Sequence, residues 1–174
     1  MSYDLKKKFT EAYGLNEIAL VPSDITIDSE LVDISTKIAG LNLKMPIFAS
    51  AMDSVVSPKT AGILGKCGAG AVLNLEGIQT RYENADEILD KISNVSRENY
   101  VSLMQKIYQE NAVKPELIKK RIQEIKDQNV PVIVSSTPQN AKKYGKIAAD
   151  AKADVFVIQS TVVSSKFKAK ADKD

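Results

Sequence analysis

Residues 24–44 alternate apolar and polar side chains, with Ile25, Ile27, Leu31, Ile34, Ile38, Leu41 and Leu43 at the apolar positions. A period near two predicts a short β-hairpin, or a pair of extended segments, capping one end of a domain. From Pro46 the pattern changes. The apolar run PIFASAM (46–52) leads to a helix from Pro58 to about Lys66, and GAVLNLE (70–76) leads to a helix from about Ala85 to Val95. In that second helix Ile88, Leu89, Ile92 and Val95 share one face. A further amphipathic segment covers Arg97–Glu110 with Tyr100, Leu103, Met104, Ile107 and Tyr108 as its stripe. Another helix begins at Pro115, with Glu116 in its first turn, and carries Leu117, Ile118, Ile122 and Ile125. PVIVSS (131–136) is an almost unbroken β-branched run, as suits a parallel strand buried on both faces. A helix to about Lys152 and a last strand, DVFVIQS (154–160), follow it.

Ser57-Pro58 and Thr137-Pro138 each offer an N-cap side chain followed by proline at the first helical position. The strand starts at Pro131 and Asp154 lie 23 residues apart and those at Pro46 and Gly70 lie 24 apart, the spacing of successive βα units. The fold class is therefore α/β, with four strands and their helices.

The totals narrow the function more than the fold. With 174 residues, 44% hydrophobic and 26% charged, the chain can bury the core of one ordinary soluble domain. A net charge of +2 argues against nucleic acid as a partner. No apolar run approaches the ~20 residues of a membrane span. Lys6, Lys7 and Lys8 have no apolar segment behind them, so the N-terminus does not read as a secretory signal. One cysteine, Cys67, permits no internal disulfide, and the cytoplasm is the expected location. The chain has no histidine, which removes Ser-His-Asp and Cys-His catalysis and His-ligated zinc.

The stretch PIFASAMDSVVSPKTAG (46–62) is a strand, a polar loop and a helix start, the junction at which ligands gather in α/β folds. With ALVPSDITID (19–28), VDIST (32–36), GAVLNLEGIQTRYEN (70–84), MQKIY (104–108), PELIKKRIQEI (115–125) and VIQSTVVSS (157–165), it resembles the IMP dehydrogenase / GMP reductase family. The likeness is collinear over residues ~19–165 and is nearest the branch without CBS domains. It implies the N-terminal half of a (β/α)8 TIM barrel, about four βα units preceded by the hairpin, since a whole barrel takes ~250 residues. The expected division is an arm and capping hairpin (1–45), a partial barrel (46–163) and a polar, disordered tail (164–174).

The resemblance also implies NAD-dependent conversion of IMP to XMP in purine nucleotide biosynthesis. Ser50 and Met52 fall where the family touches the purine nucleotide. A hydroxyl can bind phosphate or sugar and a thioether can pack on a purine face, although both side chains could simply fill the barrel mouth. Gln159, Ser160 and Thr161 fall where the family meets NAD. Gln159 stands in place of an Asp, so it can hydrogen-bond a ribose or carboxamide without supplying charge. Asn74 is expected at the mouth. Arg81, Tyr82 and Glu83 either line that mouth or serve as caps and salt bridges.

The family's cysteine nucleophile belongs to a Gly- and Ser-rich loop after the sixth strand, which these residues do not include. Cys67 lies before the second barrel strand, at the far end from the catalytic face, and reads as a small, buried, inert side chain. Gly62, Gly65, Gly68 and Gly70 precede a strand, so they read as helix–strand packing and a tight turn rather than a phosphate loop. Lys119, Lys120, Arg121, Lys126, Lys142, Lys143 and Lys146 are assigned to solvated outer faces. The enzyme reading is thus of a half barrel that is inactive alone. GMP reductase is a second reading, and a non-catalytic half barrel binding a nucleotide or a partner chain is a third. A homo-oligomer is expected of a full-length protein. Self-association or aggregation is expected of a four-strand sheet with two open edges.

Overall fold

The structure is a computed structural model that describes residues 11–160. Thr161, the tail at 164–174 and the Lys6–Lys8 run lie outside the described residues. By contacts the chain divides into Met1–Asp33 and Ile34–Asp174. In the first unit, the described residues form 3-10 turns at Leu15–Glu17 and Ser29–Leu31, and the rest is without regular structure. Ile25 and Ile27 belong to no strand and are exposed.

The second unit begins with the hairpin, shorter than the 24–44 pattern. Strands β1 (Thr36–Ile38) and β2 (Leu41–Leu43) pair antiparallel with Thr36 opposite Leu43. Ala39 and Gly40 form the two-residue turn with φ of 48° and 83°, the left-handed geometry that matches strand twist in tight hairpins.

The remaining strands are β3 (Phe48–Ala49), β4 (Gly70–Asn74), β5 (Ile133–Ser136) and β6 (Val155–Ile158). They form one parallel sheet in sequence order, with Phe48 opposite Gly70, Val72 opposite Ile133 and Ile133 opposite Val155. Helices α1 (Pro58–Lys66), α4 (Pro115–Lys126) and α5 (Pro138–Asp150) pack on one face. There Leu73, Leu75, Ile118, Ile122, Ile125 and Val134 make a core of fully buried side chains. Helices α2 (Ala85–Ser93) and α3 (Tyr100–Glu110) lie between β4 and α4 in sequence, around a smaller cluster of Ile78, Ala85 and Ile107. This is the α/β architecture read from the sequence, with each helix start at its expected residue except that of α3, which begins at Tyr100. No helix among the described residues is long and apolar enough to cross a membrane.

Local chemistry accounts for the element ends. The Thr60 N–H donates to Ser57 Oγ (3.2 Å) and the Ser57 N–H donates to Thr60 Oγ1 (2.8 Å), a reciprocal cap with Pro58 at the first position. The glycines after it are explained by packing. A Cβ on Gly65 would stand 2.5 Å from the Val130 side chain, and Gly68 has φ of +87° in the turn into β4. At α5 the expected device is altered. Pro138 occupies the first position, but the Thr137 hydroxyl makes no cap. It turns to Glu76 instead.

Candidate active-site mouth

Successive parallel strands aim their C-terminal ends at one rim, and the loops after β4, β5 and β6 meet there. Asn74, Glu76, Arg81, Tyr108, Thr137, Gln159 and Ser160 line a cleft of about 570 Å³. Gln159 and Ser160, expected at a cofactor, are thus brought together with Asn74 and Arg81, expected at the mouth.

Glu76 organises the cleft floor. Its Oε1 accepts from the Thr137 N–H (2.6 Å) and the Thr137 hydroxyl (2.8 Å), and its Oε2 accepts from Asn140 Nδ2 (2.8 Å). A carboxylate therefore occupies the positive N-terminal end of α5, where an anion is favoured. Asn74 Oδ1 accepts from the Glu76 N–H (2.9 Å) and helps set the turn. The Glu76 charge and burial together raise the Tyr144 phenol pKa, burial being the larger cause.

Arg81 forms the wall. Nε donates to the Glu76 carbonyl (3.1 Å), and Nη1 donates to the carbonyls of Tyr108 (3.1 Å) and Asn111 (2.6 Å). Its guanidinium lies 5.0 Å from the Tyr108 ring centroid, a cation–π distance. The Tyr108 hydroxyl donates to Asp53 Oδ2 (2.7 Å). Burial first, and the Asp53 carboxylate second, push the Tyr108 phenol far above its ordinary range, so it stays a protonated donor.

Ser50 and Met52 sit on the loop after β3. Both are exposed, and neither lines the cleft. The Ser50 carbonyl accepts from the Met52 N–H (2.7 Å), and the Met52 carbonyl accepts from the N–H groups of Val55 and Val56 (2.9 Å each). Asp53 then connects this loop to the cleft through Tyr108.

Two sequence-based assignments are corrected. Cys67 is exposed rather than buried, because it is the C-cap of α1, although it does stand at the opposite end of β4 from the mouth. Arg121 is buried at 8% exposure, not solvated. It donates from Nε to the Gln79 carbonyl (2.9 Å), from Nη2 to those of Tyr82 (3.2 Å) and Glu83 (2.6 Å), and from Nη1 to both oxygens of Glu124 (3.0 Å each). Its signal was legible: position 121 falls in the apolar stripe of 117, 118, 122 and 125. Of the two roles open to Glu83, the structure has the salt bridge and not the cleft lining. Glu83 bonds Lys120, which holds its carboxyl below the usual range. Tyr108 and Glu76 were missed as mouth residues, since their partners lie 55 and 61 or more residues away in sequence. The described residues contain no cluster of Asp, Glu or Cys able to hold a metal ion.

The comparisons with known proteins agree with this architecture. A family model described as the IMP dehydrogenase / GMP reductase domain matches residues 12–172. A protein of Mycolicibacterium smegmatis described as an uncharacterized oxidoreductase is 27% identical over 158 residues, 88% of this chain and 42% of its own length. A counterpart in Mycobacterium leprae is 29% identical over the same extent. The inosine-5'-monophosphate dehydrogenase of Methanocaldococcus jannaschii is 34% identical over 64 residues, 37% of this chain and 13% of that one. Among solved structures, an IMP dehydrogenase/GMP reductase-like protein from Corynebacterium glutamicum superimposes with a TM-score of 0.81 at 28% identity, covering 91% of this chain and 43% of that one. The four-stranded sheet thus matches part of a TIM-barrel fold, and the chain spans less than half the length of the mycobacterial relatives. With the match extending over most of its residues, the chain belongs to the IMP dehydrogenase / GMP reductase family of oxidoreductases.

Proposed function

We propose that this chain supplies one wall of a purine nucleotide pocket and part of an adjoining NAD site in an IMP dehydrogenase-type oxidoreductase, which converts IMP to XMP. The observation that carries the reading is the cleft at the strand C-termini, where Gln159 and Ser160 converge with Asn74, Thr137 and Arg81. Its volume lies in the range of small-molecule sites, and its hydroxyl and amide groups suit a ribose diol and a carboxamide. The Glu76 carboxylate already fills the α5 N-terminus, so this floor favours neutral, hydroxyl-bearing groups over phosphate. Ser50 and Met52 are assigned to the purine nucleotide, Met52 through its exposed thioether. Gln159, Ser160 and Thr161 are assigned to NAD, which accepts hydride when bound. The same wall would serve GMP reductase, whose nucleotide differs at the purine 2-position.

Cys67 stands at the wrong end of the sheet to attack a nucleotide at the mouth. The 174-residue chain is therefore expected to bind and not to turn over. Calorimetric titration with IMP, then with NAD, tests the reading. Met52→Ala should weaken IMP binding several-fold, and Gln159→Ala should weaken NAD binding. Turnover by the purified chain, or IMP binding indifferent to Met52, would overturn it.

A second reading has its own observation. The sheet face opposite α1, α4 and α5 holds an apolar cavity of about 480 Å³ lined by Leu41, Phe48, Val72, Ile133, Val155 and Val157, beside β6, the edge strand among the described residues. A second copy of the chain could cover it. Sedimentation showing a monomer at every concentration would remove this reading.

A further inference from the structure

The loop bearing Ser50 and Met52 has two anchors. Val56, at 1% exposure, is fixed in the core beside Leu73, and the Thr60 hydroxyl holds the Val55 carbonyl (3.0 Å). The other anchor is Asp53. Its Oδ1 is buried with no hydrogen-bond partner among the described residues, and its Oδ2 is held by the Tyr108 hydroxyl at 2.7 Å. Tyr108 is itself fixed from two sides. The Arg81 guanidinium lies over its ring and binds its carbonyl, and Ile107 beside it is buried against Ile78 and Ala85. Gly77 closes the other flank of Asp53. A Cβ at position 77 would collide with the Asp53 carboxylate, so the residue there must be glycine for Asp53 to lie where it does.

From this arrangement we infer that Tyr108 is a positioning residue. Its hydroxyl, acting through Asp53, holds the Ser50–Met52 loop in the conformation that meets a ligand and couples that loop to the cleft that Tyr108 and Arg81 line. The inference deepens the nucleotide-site reading above and rests on it only for the identity of the ligand. The physical reasoning is local. A carboxylate with one orphaned oxygen is poorly held, and its remaining charge-assisted bond carries the constraint. The phenol's raised pKa keeps that bond intact throughout the neutral and mildly alkaline range. The charged and titratable groups facing Tyr108 are Asp53, Arg81 and Tyr100.

Tyr108→Phe removes the hydroxyl and keeps the ring over which Arg81 lies. The test is amide hydrogen exchange on the whole chain without ligand, followed by IMP titration. A lost bond to a charged partner corresponds to about tenfold or more. Exchange at residues 52–56 should therefore accelerate about tenfold, with β4 and β5 amides unchanged. Asp53→Asn retains an acceptor for the hydroxyl and should keep slow exchange. Gly77→Ala displaces Asp53 without touching Tyr108 and should reproduce the acceleration. Unchanged exchange at 52–56 in Tyr108→Phe, or equal acceleration across β4 and β5, would overturn the inference. If the loop loosens while the parent chain binds no IMP, the coupling stands and the nucleotide reading falls. If IMP binds the parent and Tyr108→Phe equally well although the loop loosens, the positioning role is overturned.

Discussion

Replacing Arg121 with methionine removes every polar contact of a buried cation while keeping most of its stem. The guanidinium donates from all three of its nitrogens, to the carbonyls of Gln79, Tyr82 and Glu83 and to both oxygens of Glu124. Methionine packs in a similar volume, so little of the loss comes from a cavity. Most of it comes from the carbonyls left without a donor and from the Glu124 carboxylate left without a partner. Removing one partner of a buried charge network costs ~3–5 kcal/mol, against a total stability of ~5–15 kcal/mol for a typical domain. Arg121→Lys should lose about 2 kcal/mol, because an ammonium cannot span three carbonyls and a carboxylate. Glu124 is a third exposed on its side chain, so Glu124→Gln should cost less than 1 kcal/mol. Urea unfolding followed by circular dichroism reads these differences as midpoint shifts at constant slope. The reasoning fails if Arg121→Met lies within 1 kcal/mol of the parent. It fails equally if Glu124→Gln costs as much as Arg121→Met, since the carbonyls would then not be the reason for the arginine.

Glu76→Ala strips three hydrogen bonds from the N-terminus of α5, and urea unfolding should register a loss of about 2 kcal/mol. Glu76→Gln should retain part of that, since an amide oxygen can still accept. Gly65→Ala drives a Cβ to 2.5 Å from Val130, so a destabilisation of ~1–2 kcal/mol should replace the gain that alanine normally brings to a helix. The Tyr108 phenol is shifted upward, so its contribution to stability is complete below about pH 10, the ordinary tyrosine value, and is lost as the pH rises above that. Alkaline unfolding should therefore be less steep in Tyr108→Phe, and tyrosinate absorbance should show a late-ionising group that this variant lacks.

The helical half of the fold was legible because its punctuation is covalent. Pro58, Pro115 and Pro138 can stand at the start of a helix and nowhere inside one, and each opens the helix its position announced. The strands were legible in kind and not in length. PIFASAM contributes only Phe48 and Ala49 to the sheet, since a strand extends only as far as its neighbour runs beside it. Ile25 and Ile27 alternate as a strand would, yet they have no strand partner among the described residues and are exposed. Thr137 shows the same limit at a helix end. Its hydroxyl was an N-cap by local rule, but a carboxylate sixty-one residues away offers a stronger acceptor.

The candidate site was legible where a strand end alone defines it, as at Asn74, Gln159 and Ser160, and illegible where a loop had to be held in place. That loop is 75–83. Loops normally run over the surface so that water can satisfy their backbone, but Leu75, Gly77, Ile78, Gln79 and Thr80 are buried. Each carbonyl from Leu75 to Thr80 therefore accepts a hydrogen bond from the protein. The donors are the Thr80 hydroxyl, Arg81 Nε, the N–H groups of Arg81 and Tyr82, Arg121 Nε and the Lys114 N–H. The buried arginine of α4 and the Arg81 of the cleft wall answer the same requirement. Where β4 leaves the sheet, the chain turns inward and its carbonyls must be met by long donors from other elements. Arg81 then has a reason to lie across Tyr108, and Tyr108 to reach Asp53. The geometry of the mouth follows from burying the turn after β4, and residues chosen to satisfy that turn also shape the surface a ligand would meet.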